Sequence, residues 1–418
     1  MKTTAPYPRH NTTKLLDKPR SFAKRLGSGT AAAIALLPIL ATAGPDAVTE
    51  TKTTQSDTEV FDKIWGLATL YKNDSNPILE EFKLRGRYQG QFYDVESDQA
   101  HDNNWEDRRS RFGFDAKLFD KKLEARFDFQ SNDEFRDLYD GLVDAYLRWK
   151  PTKTFSVTLG KTKPLIAQYD FLESTNAQPT FERSQIFNQL GINRATALTV
   201  EGSIDDFSYR AGVYLNATPT TTGGTGSWGD GEFVDHDGGK SISLGVGYDF
   251  KSQLGVDKAD FKLDWLHSDI EPGDLVLNRY DDIISTTFWV KEGPAAVVLE
   301  AFLGTSDIAG TSDVFGFYIE PTYDIIPKKL QLVGRYTYSQ SSDPGGLRGQ
   351  SRYEGRALAT EGLGVKGDEY NAFYLGAQYF IYGDKLKLLA GAEYSVLTNQ
   401  SNDVYDGITY LAGIRLSF

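Results

Sequence analysis

The sequence predicts an all-β fold: sixteen strands closed into an antiparallel up-and-down barrel. Three observations carry this. Apolar residues recur at every second position from Glu80 onward, the connections alternate between short and long, and the chain stops on a strand with no tail. In "YDGITYLAGIRLSF", Ile408, Tyr410, Ala412, Ile414, Leu416 and Phe418 alternate with Thr409, Leu411, Gly413, Arg415 and Ser417. One face of such a strand is greasy and the other small or polar. In water it would be an unprotected sheet edge, so another strand has to cover it.

The segments follow in order. In "EEFKLRGRYQGQFY", Phe82, Leu84, Tyr88 and Phe92 alternate with Lys83, Arg85, Arg87, Gln89 and Gln91. "RRSRFGFDAKLF" and "KLEARFDFQ" repeat the pattern, with Phe112, Phe114, Phe127 and Phe129 on one face. Sixteen segments fall near 81–93, 107–118, 122–130, 140–150, 154–161, 195–203, 206–216, 240–250, 259–268, 281–292, 295–304, 313–324, 329–340, 368–382, 385–397 and 406–418. Their short connections include "DKK" (120–122), "PTK" (151–153), "IDD" (204–206), "EGP" (292–294), "IIPKK" (325–329) and "GDK" (383–385). The long ones lie near 94–106, 131–139, 162–194, 217–239, 269–280, 305–312, 341–367 and 398–405.

A soluble two-sheet protein shows the same alternation but has no reason to sort its loops by parity. A barrel across an outer membrane does, with short periplasmic turns and long outer loops. Hydrocarbon offers no water to an open edge, so the last strand is expected to close on the first, near 82–92. Trp149, Tyr248, Trp265, Tyr323, Tyr379 and Tyr394 fall at or near strand ends, where an aromatic girdle belongs.

The N-terminus reads as an export signal, residues 1–43. Seven bases and one acid precede the apolar "TAAAIALLPIL" and the small-x-small "ATA". Its removal takes the formal charge from -13 to -19, which argues against nucleic acid as a partner. Residues 44–79 read as a polar periplasmic segment, with an amphipathic stretch of uncertain structure at "EVFDKIWGLATLY", and 80–418 as the barrel. The mean hydropathy of -0.42 comes with no apolar run long enough for a membrane helix beyond residue 43. The absence of Cys excludes disulfides and thiolate metal sites.

Sixteen strands enclose a lumen too wide for side chains to fill. Strand parity turns a basic group inward: Lys83, Arg85, Arg87, Arg109, Arg111, Arg126 and Arg148, with Arg210, Arg335, Lys387 and Arg415 further round. Guanidinium groups stay charged and grip oxyanions through paired hydrogen bonds, so a column of them suits anion passage. Acids such as Asp115, Asp128, Asp144, Glu300 and Glu393 face the same way. The column is then either a selector or half of a structural charge ladder, and both readings stand at this point.

Four stretches in order carry a resemblance: "FKLRGRYQGQF", "RRSRFGFDAKLFDKKLEARFDF", "DAYLRWKP…FSVTLGKTKPL" and "TFERS". With the terminal Phe418, they resemble the phosphate-selective porin O and P family of Gram-negative outer membranes. The resemblance implies a sixteen-stranded homotrimeric porin in the outer membrane. Its third long loop folds into the lumen, and small anions or other small hydrophilic solutes diffuse through it. Phe418 is then the C-terminal signature read by the barrel-assembly machinery, and outer-membrane lipid is the surround. The loop at 162–194 fits this plan, because "LIAQYDFLE" and "FERSQIFNQL" are apolar enough to pack against a wall. Lys161, Lys163, Glu182 and Arg183 are its constriction candidates. The family's G-K-x-K-x-P pattern is met only in part, since Pro164 comes one position early in "GKTKPL".

Enzyme readings fare worse. His10 lies in the signal region, His101 and His236 in long loops, and His267 near a strand end, with no nucleophile at a plausible spacing. No cofactor or metal is expected. The acidic loop "DGEFVDHDGG" (230–239) has oxygen ligands but no calcium-loop spacing, and a solvated surface loop is the plainer reading. Two alternatives remain: a non-conducting structural or adhesive barrel that binds partners through its long loops, and a secreted carbohydrate-binding β protein.

Overall fold

Each strand from residue 79 onward pairs antiparallel with its neighbour in the sequence, and the last pairs with the first. A computed structural model describes residues 55–131, 138–215, 239–269 and 278–418. Among them, sixteen strands close the barrel. The first half comprises β1 (Leu79–Ser97), β2 (His101–Leu118), β3 (Leu123–Ser131), β4 (Gly141–Thr152), β5 (Phe155–Thr162), β6 (Ala195–Ile204), β7 (Phe207–Leu215) and β8 (Lys240–Asp249). The second half comprises β9 (Lys258–Ser268), β10 (Asp282–Glu292), β11 (Ala295–Thr305), β12 (Val314–Ile326), β13 (Leu330–Ser341), β14 (Glu369–Tyr382), β15 (Leu386–Asn399) and β16 (Asn402–Ser417). The proposed signal segment and the loop 217–238 lie outside the described residues, so the calcium question at 230–239 is not addressed by the fold.

The opening puzzle has a direct answer. β16 pairs with β1 from Gly407↔Ser97 to Ser417↔Arg87, and Phe418 exchanges backbone hydrogen bonds with Gly86 at 3.0 and 3.2 Å. The edge is covered by the other end of the same sheet, which is what hydrocarbon demands. Outward positions carry exposed Leu84, Phe92, Phe112, Leu147, Leu244, Leu299 and Leu375, while Trp149, Tyr379 and Tyr394 sit exposed near strand ends. That surface suits lipid, with aromatics at its rims.

Two of the expected long connections are tight turns. Pairing continues through Tyr93↔Asn104 to Glu96↔His101, so residues 94–106 are mostly strand and His101 opens β2. Likewise Asn399 pairs with Asn402 across Gln400 and Ser401, both with positive φ (51° and 68°). Two consecutive positive-φ residues make the hairpin turn whose twist matches its strands. Its usual Asn-Gly or Asp-Gly marker is missing, so polar residues there read as loop.

Residues 55–72, ahead of the barrel, pack against it. Helix α1 (Gln55–Gly66) sets Phe61 and Trp65 on Tyr382, with ring centroids 5.4 and 5.0 Å apart. A short strand, Thr69–Lys72, then pairs with residues 81–83 at the start of β1.

Candidate functional site

The interior of the barrel holds what a globular protein would call its core. Residues 162–194 leave β5 and turn inward. Leu165, Ile166, Phe171, Phe181, Ile186, Phe187 and Leu190 are all buried. The loop contains a π-helical turn, Gln168–Leu172, and a short helix α2, Gln185–Leu190. Ser184 caps α2 by accepting from the Phe187 amide at 3.2 Å, and Gly191 ends it in the left-handed region.

The wall is shaped to receive α2. A Cβ at Gly316 would lie 2.7 Å from Ile186, and one at Gly304 2.8 Å from Leu190. Glycine in a strand marks just this kind of close approach. The variant G316V is therefore expected to push α2 off the wall at a cost of about 1–3 kcal/mol. It should lower the temperature at which the folded band converts to the unfolded band in detergent gels, while the barrel still forms.

Buried polar groups hold the rest of the loop. The Glu300 carboxylate on β11 accepts from the amides of Tyr169 (3.1 Å) and Asp170 (2.9 Å) and from the hydroxyls of Thr287 and Tyr318 (2.8 Å). Glu320 on β12 accepts from the Tyr169 hydroxyl at 2.8 Å. Arg335 on β13 donates to Thr180 and to the Glu182 carbonyl, at 3.0 and 2.7 Å, and pairs with Glu393.

Of the four constriction candidates, Glu182 accepts from Arg108 at 3.0 Å and from Gln91 at 3.2 Å. Arg183 donates to the Asp170 carbonyl at 2.7 Å and lies over the rings of Phe171 and Phe187. Lys163 donates to the carbonyls of Phe171, Leu172 and Glu173. Lys161 is buried on β5. Glu182, Arg183 and Lys163 thus bind the loop or the wall, and Lys163 also borders a cavity. Arg109 is also buried, donating to Gln89 at 2.7 Å.

A second loop enters the lumen, and the sequence had it as a surface feature. Within 341–367, Leu347–Arg348 pairs with Lys366–Gly367, and helix α3 (Glu354–Thr360) buries Ala357 and Leu358 beside Tyr353. It docks on the first loop: Gln350 donates to the Arg183 carbonyl at 3.3 Å, and Gln189 to the Gly346 carbonyl at 3.0 Å. Arg352 and Arg356 both pair with Glu106 on β2, at 3.0 and 3.2 Å.

At the start of α3, burial, with Glu393 beside it, pushes the Glu354 carboxyl up to about 8. Its Oε1 accepts from the Gln350 amide and the Tyr370 hydroxyl, while Oε2 has no partner. A raised folded-state pKa means that the bound proton favours docking. This contribution is complete below the ordinary carboxylate range and drains as pH rises towards about 8. Hydrogen exchange in 341–367 is expected to quicken, relative to the barrel strands, between pH 5 and 8 in the wild type and to lose that dependence in E354Q.

A cavity of about 590 Å3 lies at the end of the barrel that holds Phe418. Its lining carries Lys83, Arg85, Arg87, Arg111, Arg126, Arg148, Lys163, Arg194, Arg210 and Lys385 against Asp128, Asp144 and Glu201. Some of these bases form a ladder. Arg85 pairs with Asp115 and Asp128, Arg126 with Asp115, Arg194 with Asp144, and Arg210 with Asp264, at 2.6–3.0 Å. Others do not. Lys83, Arg87 and Arg148 have no carboxylate at ion-pair distance among the described residues. Arg87 donates to the Ser174 and Thr175 hydroxyls, and Arg148 donates to Thr158 and lies over the Tyr146 ring.

Sequence parity missed Arg108, which a bulge opposite Gln89 and Gly90 turns inward beside Arg109. It also missed Arg194 and Lys385, which belong to a loop and a turn.

This geometry defines a class: a closed outer-membrane barrel, narrowed by inward loops, of the kind that forms a diffusion channel. Part of the sequence matches a known family. Residues 82–255 match the model of the phosphate-selective porin O and P family, and the motifs quoted above lie within that stretch. No curated protein sequence matches significantly. Among solved structures, OprB of Pseudomonas putida aligns with a TM-score of 0.52 at 12% identity, over 81% of this chain and 94% of its own. The channel DcaP of Acinetobacter baumannii aligns with a TM-score of 0.51 at 11% identity, over 84% and 100%. OmpT of Vibrio cholerae gives 0.51 at 14% identity, over 81% and 98%. At such identities the likeness is one of fold. The fold is that of an outer-membrane porin, and residues 82–255 carry the family's sequence pattern.

Proposed function

We propose that this porin passes small hydrophilic solutes by diffusion and prefers small anions, with inorganic phosphate among those to be tried. The observation that carries the preference is the cavity lining, where ten bases face three acids and Lys83, Arg87 and Arg148 have no carboxylate at ion-pair distance among the described residues. Field lines focused in a narrow, low-dielectric passage raise the local concentration of the opposite charge. No catalytic step is assigned, and a homotrimer delivered through its Phe418-ending strand is the assembly that accompanies this reading. A non-conducting barrel is the second reading, supported by the two loops that fill so much of the lumen.

Reconstitution of the purified protein in a planar bilayer decides between them. Stepwise currents with an anion-favouring reversal potential in a KCl gradient are the expected result. A cation-favouring potential rejects the selector, and an absence of current supports the second reading.

A further inference from the structure

The line where β16 meets β1 is the one junction of the barrel whose two strands lie at opposite ends of the chain. It is bridged from two sides. Inside the lumen, Arg415 on β16 donates to three backbone carbonyls of the inward loop: Thr175, Thr180 (3.0 Å) and Phe181 (2.7 Å). Directly across the junction stands Gln89 on β1. Its amide donates to Thr175 and Asn176, at 3.2 and 2.6 Å. The same short stretch of loop therefore binds both strands. Arg415 is 3% exposed, so its charge is spent on the loop and does not face solute.

At the rim, β1 begins seven residues before the point where Phe418 runs out opposite Gly86. The N-terminal segment takes over that edge: the Leu84 amide donates to the Ala68 carbonyl at 2.8 Å, and residues 69–72 pair with 81–83. The Trp65 indole donates to the Ser417 carbonyl at 2.6 Å, fastening α1 to the last strand.

We propose that Arg415 is a positioning residue that ties the bore of the constriction to closure of the barrel, with the segment 65–72 as a second clasp on the same seam. Nothing in this requires Arg415 to touch a solute. The stretch Thr175–Phe181, whose three carbonyls take this one guanidinium, shifts when the guanidinium is lost, and the seam keeps only Gln89 of its inner bridge.

The test compares R415M, R415K and W65A with the wild type by two readouts. One is backbone hydrogen exchange in β1 and β16 against β8 and β9 on the opposite wall; the other is single-channel conductance. R415M is expected to speed exchange at the seam by about tenfold over the opposite wall. It should also raise conductance, with R415K recovering part of both. W65A should speed seam exchange and leave conductance unchanged. Exchange that rises equally in all strands, or an R415M channel of wild-type conductance, overturns the coupling. If R415M does not fold, R415K and W65A carry the test, and unchanged seam exchange in both rejects it. The conductance arm rests on the channel reading. A wild type that passes no current rejects that reading alone, because the exchange arm still reports on the seam.

Discussion

Replacing Lys83, Arg87 and Arg148 together by glutamine is expected to move the reversal potential in a KCl gradient from the anion side to near or past zero. All three line the cavity, and none has a carboxylate at ion-pair distance among the described residues. One unit charge is worth about 0.6 kcal/mol to a monovalent ion about 7 Å away in water, or about threefold in that ion's concentration. Three such charges, discounted for screening, should lower the anion-to-cation permeability ratio by about tenfold at ~0.1 M salt. In ~1 M salt the difference should nearly vanish, because the Debye length falls to about 3 Å. R85Q makes the useful contrast. Arg85 holds Asp115 and Asp128, so its loss strands two carboxylates and should cost stability as well as selectivity. A triple variant that keeps the wild-type reversal potential would show that the selector lies elsewhere.

The second large effect is expected at Glu300. Its carboxylate is fully buried and shared by four donors, two of them backbone amides of the inward loop. Leaving buried donors unsatisfied costs about 1–3 kcal/mol each. E300A should therefore free the loop around Tyr169 and Asp170, raise single-channel conductance severalfold and lower the thermal transition of the folded band. E201Q is the control, since Glu201 lines the cavity and, among the described residues, holds no part of the inward loop. Equal conductance in E300A and wild type would mean that the apolar contacts of α2 alone hold the loop in place.

Much of the barrel was legible in the chain. A strand with lipid on one face and the lumen on the other has a side-chain period of two, and loop parity, though two of the expected long loops are tight turns, separates it from a soluble sheet. The first strand could be named as the cover for the last because a membrane forbids any other end to the sheet, although the pairing runs over 86–97 and Phe82 is covered by Tyr71 instead. The inward fold of 162–194 was legible for a similar reason, since Phe171, Ile186 and Phe187 have no business in solvent. The second inward loop was not. Residues 341–367 are rich in Gly, Ser and charge, and what buries them is Glu106, Arg183 and Gln189 from elsewhere.

The same division runs through the site. The sequence by itself determined which strands exist, which face of each meets lipid and that bases and acids share the inner face, because those follow from local alternation and the solvent on each side. Only the tertiary structure decided which bases stay available to an ion. Arg85 and Arg87 are two residues apart on one strand and alike in the sequence, yet one is held by two carboxylates and the other donates to two hydroxyls. Arg108 points inward because of one bulge, and Arg415 is drawn onto loop carbonyls from a strand that began as a puzzle about a bare edge. A charge is assigned by its sequence but used by its neighbours, and in a closed barrel most of those neighbours come from the far end of the chain.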